Sequence, residues 1–209
     1  MITVISPAKT LDLEAKVESD VKSDPIFTAE PERLIKKLKT LSRKKISNLM
    51  SLSEKLSDLN YQRYQMWTPE PSEEMVKQAV LMFKGDVYLG LEAETFTTEE
   101  YTRSQESLRI LSGLYGYLKP MDLIQAYRLE MGTRFEVTPK VKNLYKFWQD
   151  KVTAALNEEA GEGVILNLAS NEYFKVLNQK DVKGTIINAI FKDFKNGEYK
   201  TIMTFAKLA

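Results

Sequence analysis

Apolar positions along the chain change their period several times, and each change marks an element. Residues 2 to 5 are a continuous apolar run that predicts a short buried strand. Residues 12 to 25 are polar, acidic and without period, so they read as a surface loop. Helical spacing then begins at Pro31, with Leu34, Ile35, Leu38 and Leu41 on one face. Ser42 can cap a second helix that turns Ile46, Leu49 and Met50 inward. After a break at Ser51, Leu52 and Ser53, the last serine can cap a third helix carrying Leu56 and Leu59.

The next helix is predicted from Ser72 with Met75, Ala79, Val80 and Phe83 inward, closed by Gly85, followed by a strand at 86 to 88. Thr97 and Glu100 fit a capping box for a helix that runs through Leu111. Gly113 and Gly116 then supply positive φ or a close backbone approach, and Lys119 followed by Pro120 forces a turn. From 126 to 131 the period becomes two, with Tyr127, Leu129 and Met131 alternating with Arg128 and Glu130. A strand is the expected result. Thr138 and Pro139 open a helix whose inward face is Val141, Leu144, Tyr145, Trp148, Val152, Ala155 and Leu156. Residues 164 to 168 read as a buried strand running into a helix capped by Ser170, Asn171 and Glu172. Two strand-like runs, 185 to 194 and 198 to 205, flank Asn196 and Gly197, a strong hairpin signal. These elements predict a mixed α/β (α+β) fold: one compact domain with a mixed sheet, a C-terminal hairpin and a helix-hairpin-helix-like segment.

Composition narrows the chemistry. At 209 residues, 43% hydrophobic and 28% charged, the chain can bury one sizeable core. Without cysteine or histidine, thiolate catalysis, disulfides, Cys-based metal sites and the commonest general base are all excluded. No apolar run is long enough for a membrane span, and the N-terminus lacks the pattern of a secretory signal, so a cytoplasmic protein without membrane partners is expected.

The net charge is only +1, but its distribution is uneven. Residues 33 to 53 hold Arg33, Lys36, Lys37, Lys39, Arg43, Lys44 and Lys45 with no acid among them. Such a run is either a solvated helix face or, given the hairpin within it, a surface for duplex backbone, where turn amides and lysines meet phosphates. Lys36, Lys37, Lys39, Arg43, Lys44, Lys45, Ser51, Ser53 and Lys55 are the candidate DNA-contacting residues. Ser51 and Ser53 occupy positions where such hairpins usually carry glycine. A second candidate is a cleft at strand ends formed by Lys9, Arg128, Arg134, Asn167, Ser170 and Asn171. Lys9 is equally readable as a lysine paired with a carboxylate, and Arg128 with Glu130 as a cross-strand ion pair.

Five blocks, ISPAKTLD (5 to 12), FKGDVYLGLEAETF (83 to 96), LRILSGLYGYLKPMDLIQAYRLEMGTR (108 to 134), LYKFW (144 to 148) and NLASNEYFK (167 to 175), closely resemble the bacterial YaaA family of peroxide-stress proteins. The resemblance implies the unusual compact fold of that family, DNA binding through a helix-hairpin-helix placed here at LMSLSEKL, protection against oxidative damage and a limit on free intracellular iron. Family members continue beyond the FAKLA that ends this sequence with a further basic segment, so the resemblance implies a single YaaA-like domain over 1 to 209 lacking that segment. No cofactor or metal site is expected. Direct iron storage is disfavoured because ferritin-like sites need Glu-x-x-His pairs. The alternative is an enzyme acting on a nucleotide or nucleic-acid phosphoester in the cleft, although no nucleophile and base pair is evident. A purely structural or interaction protein is the third reading.

Overall fold

The computed structural model describes residues 1–14, 19–195 and 197–200. Its elements are β1 (Ile2–Ile5), β2 (Thr10–Leu11), α1 (Ala29–Leu38), α2 (Arg43–Met50), α3 (Glu54–Met66), β3 (Val76–Gln78), α4 (Ala79–Met82), β4 (Phe83–Lys84), α5 (Asp86–Leu91) and α6 (Thr98–Ser107). There follow β5 (Leu108–Ser112), β6 (Gly116–Leu118), β7 (Leu123–Gln125), α7 (Leu144–Ala160), β8 (Val164–Asn167), α8 (Asn171–Phe174), β9 (Thr185–Asn188), β10 (Asp193–Lys195) and β11 (Glu198–Lys200). The main sheet has the order β6-β5-β1-β8-β9, in which only β6 runs antiparallel to its neighbour. Strand β1 sits at the centre, with Val4 opposite Arg109 on one side and Asn167 on the other. It buries Ile2, Val4 and Ile5, and β5 buries everything from Arg109 to Ser112, as strands covered on both faces must. The mixed α/β class read from the sequence is therefore present. No helix among the described residues is long and apolar enough to cross a membrane.

Several elements differ from the sequence expectation, each for a tertiary reason. The helix expected to run through Leu111 stops at Ser107, because 108 to 112 are needed as the strand beside β1. The capping box of Thr97 and Glu100 that starts it is present, with Thr97 N–H donating to the Glu100 carboxylate over 2.7 Å. The helix expected from Ser72 is broken into a 3-10 turn, β3, one turn of α4 and β4. The Ala79 and Val80 N–H groups donate to the Asp122 and Pro120 carbonyls (2.9 and 2.8 Å), so distant backbone replaces the helical ladder. Residues 86 to 88 begin α5 and are no strand. The long helix opens at an Asn143 cap, which accepts from Lys146 N–H, while Thr138 and Val141 bridge to each other. The first C-terminal run splits: β9 joins the main sheet and β10 pairs with β11. Asn196 and residues beyond 200 lie outside the described residues.

Residues 126 to 131 keep the alternation, with Tyr127, Leu129 and Met131 buried, but pair with no strand among the described residues. They are held from the side instead. The Leu129 carbonyl oxygen takes the place where a Cβ on Gly113 would be, and the Tyr127 hydroxyl is 2.7 Å from Ser112 Oγ. Gly116 has φ of 73°, and the Trp148 ring from α7 comes within 2.6 Å of its absent Cβ. Trp148 Nε1 also donates to the Gly113 carbonyl (3.0 Å). Both glycines thus do what the sequence suggested.

An ion pair between buried Arg109 and partly exposed Glu159 ties α7 to the sheet. Arg109 Nε and Nη2 donate to the two Glu159 oxygens at 2.6 and 2.9 Å, and the Tyr117 hydroxyl adds a third bond at 2.7 Å. Burial would raise the Glu159 pKa, but the bonds from Arg109 and Tyr117 outweigh it and hold the carboxyl below its usual range. Asp122 is the opposite case. Burial pushes it up to about 6, despite hydrogen bonds from Ser23 Oγ (2.6 Å) and Lys119 N–H (2.8 Å).

Replacing Gly113 with Ala should cost more than about 2 kcal/mol, because the clash is with backbone that cannot rotate away. Gly116→Ala should cost about 2–4 kcal/mol, the sum of left-handed strain and overpacking against Trp148. Denaturant unfolding of both variants measures this, and losses below about 1 kcal/mol would contradict the packing.

A carboxyl whose folded pKa is raised stabilises most when protonated, so the Asp122 contribution is complete below about pH 4 and lost as pH rises through about 6. That window is worth about 2–3 kcal/mol at about 1.36 kcal/mol per unit. Glu159 acts oppositely and in a lower window, losing its contribution as pH falls through its depressed pKa. Asp122→Asn should therefore flatten the stability profile between about pH 4 and 6 and leave the acid limb intact.

Candidate functional site

The basic segment forms α1, α2 and α3. Ser42 and Ser53 cap α2 and α3 as expected, each accepting from the N–H three residues on. Between them Ser51 adopts a left-handed conformation (φ 52°, ψ 50°), whereas Ser53 is extended at φ −62°. Only one of the two serines therefore stands where glycine would relieve strain, at a cost of about 1–2 kcal/mol. Leu52 is buried and plugs the turn, its N–H donating to the Ser47 carbonyl (3.0 Å). The helix carries Leu56 and Leu59 as expected, but they are 38% and 40% exposed, and α3 buries Ser57, Asn60 and Tyr64. Ser57 and Asn60 satisfy their polar atoms on carbonyls of their own helix, at 2.9 and 2.8 Å, so they can meet the core without penalty.

Arg33 lies over the Phe147 ring, 5.7 Å from its centre, and the seven candidate contact cations divide into two groups. Lys37 donates to the Val137 carbonyl (3.4 Å) and lies over the Phe135 ring, and Lys39 donates to the Trp67 carbonyl at the end of α3 (2.9 Å). Arg43 pairs with Asp58 and sits 4.2 Å from the centre of the Tyr61 ring. These three are bound into the fold. Lys36, Lys44, Lys45 and Lys55 are exposed, with no ion pair among the described residues.

The second candidate lies at the carboxyl ends of the parallel strands. Glu130 accepts from Lys9 Nζ at 2.7 Å through one oxygen and from Arg128 Nη2 at 3.1 Å through the other. Lys9 and Arg128 therefore meet at one carboxylate. The Arg128 side chain is 16% exposed, its Nε is buried without a hydrogen-bond partner, and its carbonyl accepts from the Tyr64 hydroxyl. Ser6, just past β1, accepts from Ser170 N–H at 2.9 Å, and its carbonyl accepts from the Tyr88 hydroxyl at 2.9 Å. Asn167 is committed to structure, donating to Asn188 (2.8 Å) and accepting from Ala169 N–H (3.0 Å). Gly132 N–H donates to Glu172 (2.8 Å), which ties the turn carrying Arg134 to the helix that begins at Asn171. Arg134 and Asn171 stand exposed on those two segments.

Burial holds the Tyr64, Tyr88, Tyr127 and Tyr173 phenols well above their ordinary pKa, so they remain neutral donors and no phenolate base arises there. The arrangement suits holding an anion better than activating a nucleophile. The sequence reading left out Ser6, Tyr64 and Tyr88. Ser6 was signalled by its place directly after the first strand, whereas the two tyrosines come from elements whose approach no local pattern announces.

Truncating Glu130 to Ala strands the mostly buried Arg128 and should cost about 2–3 kcal/mol, whereas Lys9→Ala should cost less than about 0.5 kcal/mol because Lys9 is 63% exposed. Equal losses in denaturant unfolding would mean that the pair with Lys9 dominates.

The whole chain is similar to known proteins. UPF0246 proteins of Shewanella baltica (strain OS195) and Shewanella sp. (strain ANA-3) are each 48% identical to it over 212 residues, covering all of this chain and 82% of the relative. Residues 1–209 match the family described as peroxide stress protein YaaA, and with these relatives that match makes the chain a member of the YaaA family of peroxide stress proteins.

Proposed function

We propose that this protein binds duplex DNA through its phosphate backbone, without sequence preference, as its part in the response to peroxide. The observation that carries this reading is the α2 and α3 hairpin with Lys44, Lys45 and Lys55 exposed and unpaired among the described residues. A tight turn between two capped helices brings backbone amides near a surface, and lysines beside it supply charge without the rigid geometry that reading bases needs. Lys36 is a further exposed lysine on α1, while Lys37 and Lys39 are drawn onto backbone carbonyls and Arg43 onto Asp58. Family membership supports the peroxide setting, and the limit on free intracellular iron is a separate expectation from it.

A second reading, an enzyme acting on a nucleic-acid phosphoester, draws on the Arg128 guanidinium, whose Nε has no partner beside the Lys9 and Glu130 pair. Turnover of nicked or nucleotide substrates by the purified protein separates it from binding alone.

Four phosphate contacts would give a log–log dependence of affinity on salt with a slope of about −3.6, independent of sequence. The triple variant Lys44→Ala, Lys45→Ala and Lys55→Ala should weaken binding to all duplexes alike and flatten the slope by about 3. Since the three side chains are exposed, the fold should change little. Isotherms between low and moderate salt decide it: an unchanged slope, or no duplex binding by the wild type at low salt, would leave the segment as a solvated face.

A further inference from the structure

A pocket of about 260 Å³ opens between the last turn of α3, β3 and β7. Its wall is largely apolar, built by Met66, Trp67, Met75, Val76 and Met82. The neutral polar groups at this wall are already used. Gln125 exchanges both amide bonds with Thr68, accepting from its N–H (3.1 Å) and donating to its carbonyl (2.7 Å). Trp67 Nε1 donates to the Tyr115 hydroxyl (3.1 Å), which leaves the indole as apolar surface.

The two cations at the wall are different. Arg63 is partly buried, and its one hydrogen bond among the described residues is a long contact of 3.4 Å from Nη1 to Asn60 Oδ1. No carboxylate among the described residues lies within ion-pair distance of it. Lys77 is 12% exposed; it donates to the Asp12 carbonyl at 2.9 Å and lies 3.7 Å from a carboxylate oxygen that Asp12 contributes while also pairing with Lys84 at 2.9 Å. Burial lowers the pKa of both groups, the direction expected where charge is incompletely compensated. The acid at the wall, Glu74, is exposed to solvent. The pocket thus combines an apolar body with an excess of positive charge.

We infer that this pocket binds a small organic carboxylate, with its anionic end at Arg63 and its apolar body against Trp67 and the methionines. An inorganic anion would leave the apolar wall wet, and a neutral apolar molecule would leave Arg63 short of acceptors. The volume lies just under the usual range for drug-sized ligands, which limits the body to about one ring. Methionine side chains give an adaptable wall, so the body is specified by size more than by shape. This inference does not rest on the proposed duplex surface.

The test uses sodium benzoate and neutral benzamide as probes on the full chain at constant ionic strength, followed by the indole N–H resonances of the two tryptophans. Benzoate should give a saturable shift at Trp67 and little at the fully buried Trp148, and bind at least about tenfold more tightly than benzamide, as one charge-assisted contact allows. Arg63→Gln should abolish that preference. Met66→Glu, at a side chain 63% exposed and so compatible with the fold, places a negative charge at the mouth and should weaken benzoate about tenfold with benzamide unaffected. No saturable shift at Trp67, equal affinity for the two probes, or benzoate binding that survives both substitutions would overturn the assignment.

Discussion

The turn from Gly113 to Gly116 is closed by two contacts too short for any side chain. The Leu129 carbonyl fills the place of a Cβ on Gly113, and the Trp148 ring fills that place on Gly116. Because interiors are packed to crystal-like density, these contacts fix positions and not merely proximities. The turn hands β5 to its antiparallel neighbour β6, sets how deeply α7 seats through Trp148, and lays the 127 to 131 segment along the end of the sheet. Arg128 and Glu130 ride on that segment. The placement of Arg128 and Glu130 is therefore a consequence of two absent methyl groups.

Two arginines in this molecule show how the same group serves two ends. Arg109 has all three guanidinium nitrogens bonded, to both Glu159 oxygens and to the carbonyls of Gln105 and Leu108. Removing Glu159 would strand a buried guanidinium, which is costly, so the pair pins the end of α7 to β5. Arg128 is less buried, and it has one side-chain bond to an acid shared with Lys9, and an Nε with none. Saturation marks the first as architecture. Incomplete coordination marks the second as a group with capacity left for a ligand.

Local signals were legible where local physics decides. The caps at Ser42, Ser53 and Thr97, the buried strand β1, the half-buried strand β8, and the two glycines of the central turn could all be read because each depends on near neighbours. The errors fall where a distant partner overrides the local period. Leu108 to Ser112 has the look of a helix end until β1 claims it, and residues 73 to 84 break up because Pro120 and Asp122 accept their N–H groups. In the cleft, Lys9 and Arg128 were found from their position at strand ends. Glu130's bridging of the two depends on the path of an unpaired segment that periodicity describes as a strand.

Charge illustrates the same division. Thirty basic and twenty-nine acidic residues nearly cancel, so the field near the surface is set by where pairs form. In the hairpin Asp58 is committed to Arg43, and Lys37 and Lys39 are drawn onto backbone carbonyls, which leaves four outward lysines without acids to neutralise them. Helix α2 has eight residues and so spans about 12 Å, comparable with the screening length of about 10 Å at 0.1 M salt. Over that length a duplex presents about seven phosphate charges at one per about 1.7 Å. On the proposed reading the lysines, and not the phosphates, are therefore the limiting partner. On that reading each lysine removed leaves a phosphate unneutralised and takes about 0.9 from the log–log salt slope.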